Sequence, residues 1–213
     1  MGVKRPREAN PRREVATFER TATRAAFTEL IETDARHADD YRRVDLALVI
    51  AESTGRRIGS IRNLDCADLD LAKGVITWRA ESDKKRRKWV VPMPERLPGE
   101  LRAYMMKAGI RSGPLFPSTG DPTIPMSRYS FDGYLLKAEK HANLPKLPGA
   151  LWHAYRRGWA TSRKHMSPVD VAAVGRWADT NTLLRYYQQP DYETMLAVVN
   201  EPRKLTEKVK TRP

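Results

Sequence analysis

Cysteine is almost absent from this sequence, and long hydrophobic runs are missing altogether. Of the 213 residues only Cys66 carries a thiol, so no disulfide can form within the chain. No stretch of eighteen apolar residues occurs, and the arginine-rich amino end does not resemble a secretory signal. These absences exclude a disulfide-stapled domain and argue against a membrane role. They predict a reducing, cytoplasmic location with Cys66 buried and inert.

Acidic residues are scarce relative to basic ones. The chain has 26 Asp and Glu against 39 Lys and Arg, which gives a formal charge of +13. Such an excess favours a polyanionic partner, and we expect that partner to be double-stranded DNA. With 40% apolar and 31% charged residues, the chain should still bury a core and fold as a soluble domain.

Signatures of metal and nucleotide binding are missing as well. The sequence contains no H-E-x-x-H, no Cys or His residues at zinc-ligand spacing, no close carboxylate cluster and no phosphate-cradling G-x-x-x-x-G-K-[ST]. A two-metal nuclease or a zinc site is therefore not expected. We expect neither a metal ion nor any other cofactor.

Apolar periodicity and start signals predict a mainly α-helical α+β fold. Residues 75–78 and 89–92 are β-branched and aromatic, which predicts a hairpin in a small three-stranded antiparallel sheet. The tip of this hairpin is expected over 82–88. Helices are predicted over 21–34, 41–53, 58–64, 99–108, 127–142, 150–165, 168–177, 182–187 and 192–199.

The chain divides into three predicted regions. Residues 1–20 carry six Lys and Arg with little apolar periodicity, which indicates a basic arm or linker. Residues 21–190 are expected to form the folded domain. Residues 191–213 are expected to form a short carboxy-terminal helix with a basic tail. The apolar residues of that helix suit docking on a neighbouring subunit and closure of the chain's own core equally well.

Several scattered residues together suit cleavage of a phosphodiester. Guanidinium groups offer paired, permanently charged donors to nonbridging oxygens, and we select Arg57 and Arg156 as the pair. His153 lies three residues before Arg156 and shares its helix face, which turns Arg157 away. A phenol such as that of Tyr186 could attack the phosphorus. Taken singly, these residues fit a satisfied helix histidine and surface ion pairs better.

The order of these residues along the chain resembles the catalytic domain of the tyrosine recombinases, the phage-integrase family, over about residues 40–190. The family's motifs are T-G-x-R, a basic hairpin, H-x-x-R, a His or Trp, and a tyrosine nine residues after it. The matching residues are Thr54, Gly55, Arg57, Lys84, His153, Arg156, Trp177 and Tyr186. The match selects Arg57 over Arg56. Lys85 remains an alternative to Lys84, and Tyr187 is the close competitor of Tyr186.

The resemblance implies a tyrosine-recombinase catalytic-domain fold and a covalent mechanism. Tyr186 would attack the scissile phosphate, form a 3′-phosphotyrosyl link and release a 5′-hydroxyl. A phenol has a reference pKa of about 10, so the arginines and His153 would favour its phenolate and the charged transition state. Trp177 would donate its indole N–H to a nonbridging oxygen, and Lys84 would protonate the departing oxygen. Metal and ATP are not needed, and recombination would take a homo-tetramer on DNA, with a monomer when free.

Two departures from the family pattern leave alternatives open. Ser60 stands where the family usually has Glu, which removes a carboxylate that helps to orient the site. Few residues precede the catalytic pattern, whereas the family normally carries an amino-terminal helical core-binding domain. The chain is thus expected to be an isolated catalytic domain, natural or truncated. The alternatives are DNA relaxation like that of a type IB topoisomerase and a catalytically silent DNA-binding protein.

Overall fold

The structure, a computed structural model, describes residues 14–80, 88–145, 151–190 and 192–200. Within these ranges the chain is mainly helical, as predicted. The helices are α1 Thr17–Thr33, α2 Ala38–Thr54, α3 Ile58–Ile61, α4 Leu97–Ala108, α5 Arg128–His141, α6 Leu151–Thr161, α7 Pro168–Gly175, α8 Thr180–Tyr186 and α9 Tyr192–Asn200. None of the helices that the structure describes combines the length and the hydrophobicity that a membrane span requires.

One small sheet is inserted between α3 and α4. It is antiparallel and consists, in this order, of β1 Leu69–Asp70, β2 Val75–Trp78 and β3 Trp89–Pro92. Ile76 pairs with Leu69 on one side and with Val91 on the other. Ile76 and Val91 are buried, so one face of the sheet packs on the helical core. The predicted three-stranded sheet is confirmed, and β2 and β3 have the predicted bounds.

Helix α2 is the centre of the larger core. It packs against α1, α4, α5 and α6. Its apolar residues are buried on several sides, among them Val44, Leu48 and Ile50, as expected for a helix covered all round. The helix ends at Gly55, which has a left-handed φ of 63° and donates its N–H to the Ala51 carbonyl at 2.8 Å. The end of α2 therefore positions the T-G-R-R segment beside α6.

A second, smaller core joins α6, α7 and α8. Its buried members are Trp159, Ala160, Val171, Ala172, Trp177 and Leu183. Ser167 caps α7 by accepting the Asp170 N–H at 3.4 Å, and Asp179 caps α8 by accepting the Thr182 N–H at 2.7 Å. The two caps fix where each helix begins, and Trp177 lies in the short connection between them.

Some helix bounds differ from the prediction because side chains bind the backbone at helix ends. α1 begins at Thr17, four residues early, because the Ala16 N–H donates to the Glu19 carboxylate at 2.8 Å. Val15 is also buried, so residues 15–20 pack with the folded domain, whereas residues 1–13 of the predicted arm lie outside the described residues.

The carboxyl end of α6 shows the opposite error. The helix predicted over 150–165 ends at Thr161. There the Trp159 carbonyl accepts hydrogen bonds from the side chains of Ser162 and Arg163, both at 3.0 Å. These side-chain bonds take the place of a backbone bond that would continue the helix.

Candidate active site

Arg156 lies at the centre of the candidate site, where α6 passes the ends of α2 and α7. Its side chain is only 2% exposed. Nη1 donates to the Gly55 carbonyl and, at 2.7 Å, to the Gly175 carbonyl. Its Cζ lies 3.6 Å from the ring centroid of Trp177, which is a cation–π contact. The guanidinium is thus fixed by backbone at two points and by an indole ring.

Three buried donor nitrogens around this guanidinium make no hydrogen bond within the described part of the chain. They are Arg156 Nε, Arg156 Nη2 and Trp177 Nε1. The Tyr187 hydroxyl lies near the guanidinium and favours its charged form. Each such buried donor costs about 1–3 kcal/mol, so a ligand that accepts from them would be favoured. Burial, followed by the charge of Arg57, lowers the pKa of Arg156 to about 9, and the group stays charged at neutral pH. We refer to these three donors as the anion site.

The position of Trp177 depends on the residues before it. A Cβ atom at Gly175 would lie 1.9 Å from the Trp177 ring, so only glycine fits there. Arg176 then takes a left-handed φ of 60°, which turns the chain. The Trp177 ring stacks on Trp159, with centroids 5.9 Å apart and planes 18° apart. Trp177 is therefore held with its ring against Arg156 by packing from both sides.

The two arginines of the T-G-R-R segment lie in different environments. Arg56 is 4% exposed, and its Cζ lies 4.6 Å from the ring centroid of Trp78. Arg57 is exposed immediately before α3, and its charge lowers the pKa of both His153 and Arg156. The structure thus places Arg57 where it acts on the candidate site and remains accessible to a ligand.

His153 is half-buried on α6, one turn before Arg156. Its ring centroid lies 6.3 Å from that of Tyr187. Burial, and then the positive charges of Arg156 and Arg57, lower its pKa to about 4. The imidazole is neutral at pH 7, with one N–H donor and one acceptor nitrogen. Arg128, at the start of α5, adds to this effect and was not identified from the sequence.

We expect the lowered pKa of His153 to make the folded chain less stable in acid. In the unfolded chain His153 binds a proton near its ordinary pKa of about 6.5, whereas in the folded chain it binds one only near pH 4. His153→Gln lacks this ionisable group, so its stability does not depend on this protonation. The free energy of unfolding of the wild type minus that of His153→Gln should therefore fall between pH 6.5 and 4. Allowing for solvent access, the fall is about 1–2 kcal/mol.

Urea unfolding of both proteins at pH 7 and pH 4.5 measures this difference. His165→Gln, which replaces an exposed histidine after α6, is the control. An equal difference at the two pH values would contradict the assignment of a suppressed charge to His153.

The two tyrosines at the end of α8 point in different directions. Tyr186 is 59% exposed, and its ring centroid lies 5.4 Å from Cζ of its neighbour Arg185. Tyr187 is half-buried, with its ring centroid 4.9 Å from that of Trp177 and 5.2 Å from Arg156 Cζ. Within the described part of the chain, no ring contact or hydrogen bond joins Tyr186 to Arg156. The structure therefore brings Tyr187 to the anion site.

The remaining predicted residues lie at or beyond the edge of this site. Lys84 and its alternative Lys85 fall within 81–87, outside the described residues. Ser60 is half-buried in α3 and donates its N–H to the Arg57 carbonyl at 2.9 Å. Arg157, expected to turn away, is 4% exposed and packed in the domain.

Comparison with protein families and with solved structures adds independent information. A family model described as the phage integrase family matches residues 22–194. No curated protein is similar enough to this chain to count as a match.

Solved structures with the same fold are recombinases and integrases. XerA recombinase has a TM-score of 0.71 at 19% identity, with 93% of this chain and 67% of that chain covered. XerH recombinase bound to a palindromic difH substrate has a TM-score of 0.70 at 16% identity, with 91% of this chain and 55% of that chain covered. A lambda integrase dimer bound to a COC′ core site has a TM-score of 0.65 at 18% identity, with 96% of this chain and 54% of that chain covered. The predicted fold is confirmed, and the chain spans from about half to two thirds of these proteins.

Proposed function

Because the chain belongs to the phage integrase family, we propose that it cleaves and rejoins double-stranded DNA as a site-specific tyrosine recombinase. The anion site is the observation that carries this proposal. A buried, charged guanidinium with two donors lacking partners among the described residues lies beside an equally unpartnered indole N–H. This arrangement suits the nonbridging oxygens of a phosphodiester. Arg57, exposed at the rim, adds a second positive charge.

In the proposed reaction the phenol oxygen of Tyr186 attacks phosphorus. The bond from this oxygen to phosphorus forms and the bond from phosphorus to the 5′ oxygen breaks, which leaves a 3′-phosphotyrosyl link and a 5′-hydroxyl strand. His153 has an acceptor nitrogen for the phenol proton, and Lys84 supplies the proton of the leaving oxygen. A bound phosphate opposes the charges of the arginines, so its arrival raises the pKa of His153 towards its ordinary value.

The proposed reaction uses neither metal nor ATP. The positive charges of Arg57 and Arg156 offset the charge that develops on the phosphate, as preorganised donors do in other covalent reactions. The phosphotyrosyl link retains the energy of the broken bond, and attack by a 5′-hydroxyl on this link restores DNA. Rejoining therefore needs no external energy source.

Helix α9 supports assembly of several subunits on DNA. Within the described chain none of its residues is buried, and Val198 and Val199 are 77% and 79% exposed. Its attachment to the chain's own fold is polar, since Lys164 Nζ donates to Thr194 Oγ1 at 2.8 Å. An uncovered apolar face fits docking on a neighbouring subunit better than closure of the chain's own core. We propose a homo-tetramer on DNA and a monomer when free, in the cytoplasm.

Trapping of a covalent complex tests this function. We expect nicked suicide duplexes, drawn from a library of randomised sites, to become attached to the wild type through Tyr186. Tyr186→Phe should abolish the attachment, because the ring without its hydroxyl has no nucleophile. Tyr187→Phe is the matched control and should still be trapped. Denaturing gels measure the attachment, and sequencing of the attached DNA identifies the target site.

The same experiment separates the alternatives. Undiminished trapping in Tyr186→Phe, or a DNA adduct on Tyr187, would refute the assignment of the nucleophile. Absence of trapping in the wild type would favour a silent DNA-binding protein, which the exposed position of Tyr186 and the presence of Ser60 both motivate. Plasmid relaxation without site dependence and without joined recombinants would favour a topoisomerase.

A further inference from the structure

The half-buried ring of Tyr187 packs against the side chains that form the anion site. It meets the Trp177 ring edge-on at an interplanar angle of 71°, and it lies beside the Arg156 guanidinium and the His153 ring. Of the residues described at the end of α8, Tyr187 is the one that contacts all three side chains. The ring thus packs on both side chains whose donors form the anion site.

Tyr186 and Tyr187 cannot both face the anion site from a regular helix. Consecutive helical residues project about 100° apart. The Tyr187 N–H still donates to the Leu183 carbonyl at 3.0 Å, so the last helical hydrogen bond of α8 positions Tyr187, which caps the helix with a φ of −124°. With Tyr187 directed inward, Tyr186 is directed into solvent, as its 59% exposure shows. Bringing Tyr186 to the phosphate therefore requires the end of α8 to turn.

We infer that Tyr187 is a resting-state occupant of the anion site, which a phosphate must displace and whose departure brings Tyr186 inward. The inference rests on the proposed function for the role of Tyr186, whereas competition between Tyr187 and an anion stands without it. A ligand that binds only the open arrangement has its apparent affinity reduced by the fraction of chains that are open. Tyr187 therefore weakens anion binding by the free chain.

A small set of polar contacts holds Tyr187 in place. The Thr161 hydroxyl donates to the Tyr187 carbonyl at 3.1 Å and accepts the Gln189 N–H at 3.3 Å. The Gln188 side chain donates to the Ala160 carbonyl at 3.2 Å. These bonds join the end of α8 to α6 and are only partly buried, so water can replace them when the segment moves. Thr161 makes two of these hydrogen bonds, one to Tyr187 and one to Gln189.

Titration of the intact chain with inorganic phosphate, followed by phosphorus NMR, tests the inference. Tyr187→Leu removes the aromatic contacts, and Thr161→Val removes the hydroxyl while keeping Tyr187. We expect each to bind phosphate about three- to tenfold more tightly than the wild type. A residue that only supports the site would give weaker binding when replaced. Circular dichroism confirms folding, and Thr161→Val decides the matter if Tyr187→Leu does not fold.

Nitration of the wild type by tetranitromethane gives an independent reading. Without phosphate, exposed Tyr186 should be modified readily and half-buried Tyr187 slowly. Saturating phosphate should raise the nitration of Tyr187 several-fold. Unchanged or weaker phosphate affinity in the folded variants, or protection of Tyr187 by phosphate, would overturn the inference. Tighter phosphate binding by the variants without covalent trapping of the wild type on DNA would support the inference and count against the proposed function. Covalent trapping without tighter phosphate binding would support the proposed function and count against the inference.

Discussion

Replacement of Arg156 by lysine should reduce covalent trapping on DNA by about two to three orders of magnitude, comparable to loss of a preorganised transition-state donor. Lysine keeps the positive charge, but its single ammonium cannot bond the carbonyls of Gly55 and Gly175 and also present two donors to a phosphate. The free energy of unfolding should fall by about 2 kcal/mol, because a charged hydrogen bond is lost. Trapping is measured per folded molecule.

Arg163→Lys is the matched control for this change. Arg163 follows α6, donates Nη1 to the Trp159 carbonyl at 3.0 Å and lies with its Cζ 4.5 Å from that ring centroid. It thus makes the same kinds of contact as Arg156, and no hydrogen bond or ring contact of the described residues joins it to Arg156 or Trp177. We expect trapping by Arg163→Lys to equal that of the wild type. Equal trapping by the two lysine variants would show that Arg156 acts only through the fold.

Gly55→Ala should destabilise the fold strongly, because a methyl group there meets two separate costs. Its φ of 63° disfavours any side chain, at a cost of about 1–2 kcal/mol. A Cβ atom would also lie 2.3 Å from the ring of Trp159, and overpacking of this kind adds about 1–3 kcal/mol. We expect the free energy of unfolding, measured in urea, to fall by about 2–5 kcal/mol. Trapping should fall with it, because the Gly55 carbonyl holds Arg156.

Gly109→Ala separates the two costs. Gly109 ends α4 with a φ of 66°, and a Cβ atom there meets nothing within 4 Å among the described residues. This variant should lose only the conformational term of about 1–2 kcal/mol and keep its trapping activity. Similar losses in the two variants would mean that the contact between Gly55 and Trp159 is not tight.

The fold was predictable where the signal is local. β-branched and aromatic residues bounded by turns gave β2 and β3 their bounds, and Ser167 with the following proline marked the start of α7. Two of the errors lie at ends that side chains determine. Glu19 extends α1 backwards, and Arg163 closes α6 early, each through a side-chain bond to the backbone. Patterns of apolar residues do not encode such bonds.

The arrangement of the candidate site could be predicted only for the residues that lie on one helix. His153 and Arg156 share a face of α6 because they are three residues apart, and packing of Gly175 on the ring fixes Trp177. The direction of Tyr186 could not be predicted. The rotation of α8 depends on the burial of Leu183 and on the bonds of Thr161, which join distant parts of the chain. Residue spacing therefore selects a candidate tyrosine without predicting the direction of its side chain.

The two carbonyls that hold Arg156 belong to the carboxyl ends of helices. Gly55 caps α2 and Gly175 is the last residue of α7. Aligned peptide dipoles place about half a negative charge at such an end, so two helix ends compensate the guanidinium without a carboxylate. Among the described residues no Asp or Glu pairs with Arg156, and an incoming phosphate meets no full negative charge there. Backbone compensation thus keeps the arginine stable in the interior while leaving its charge available to the proposed phosphate ligand.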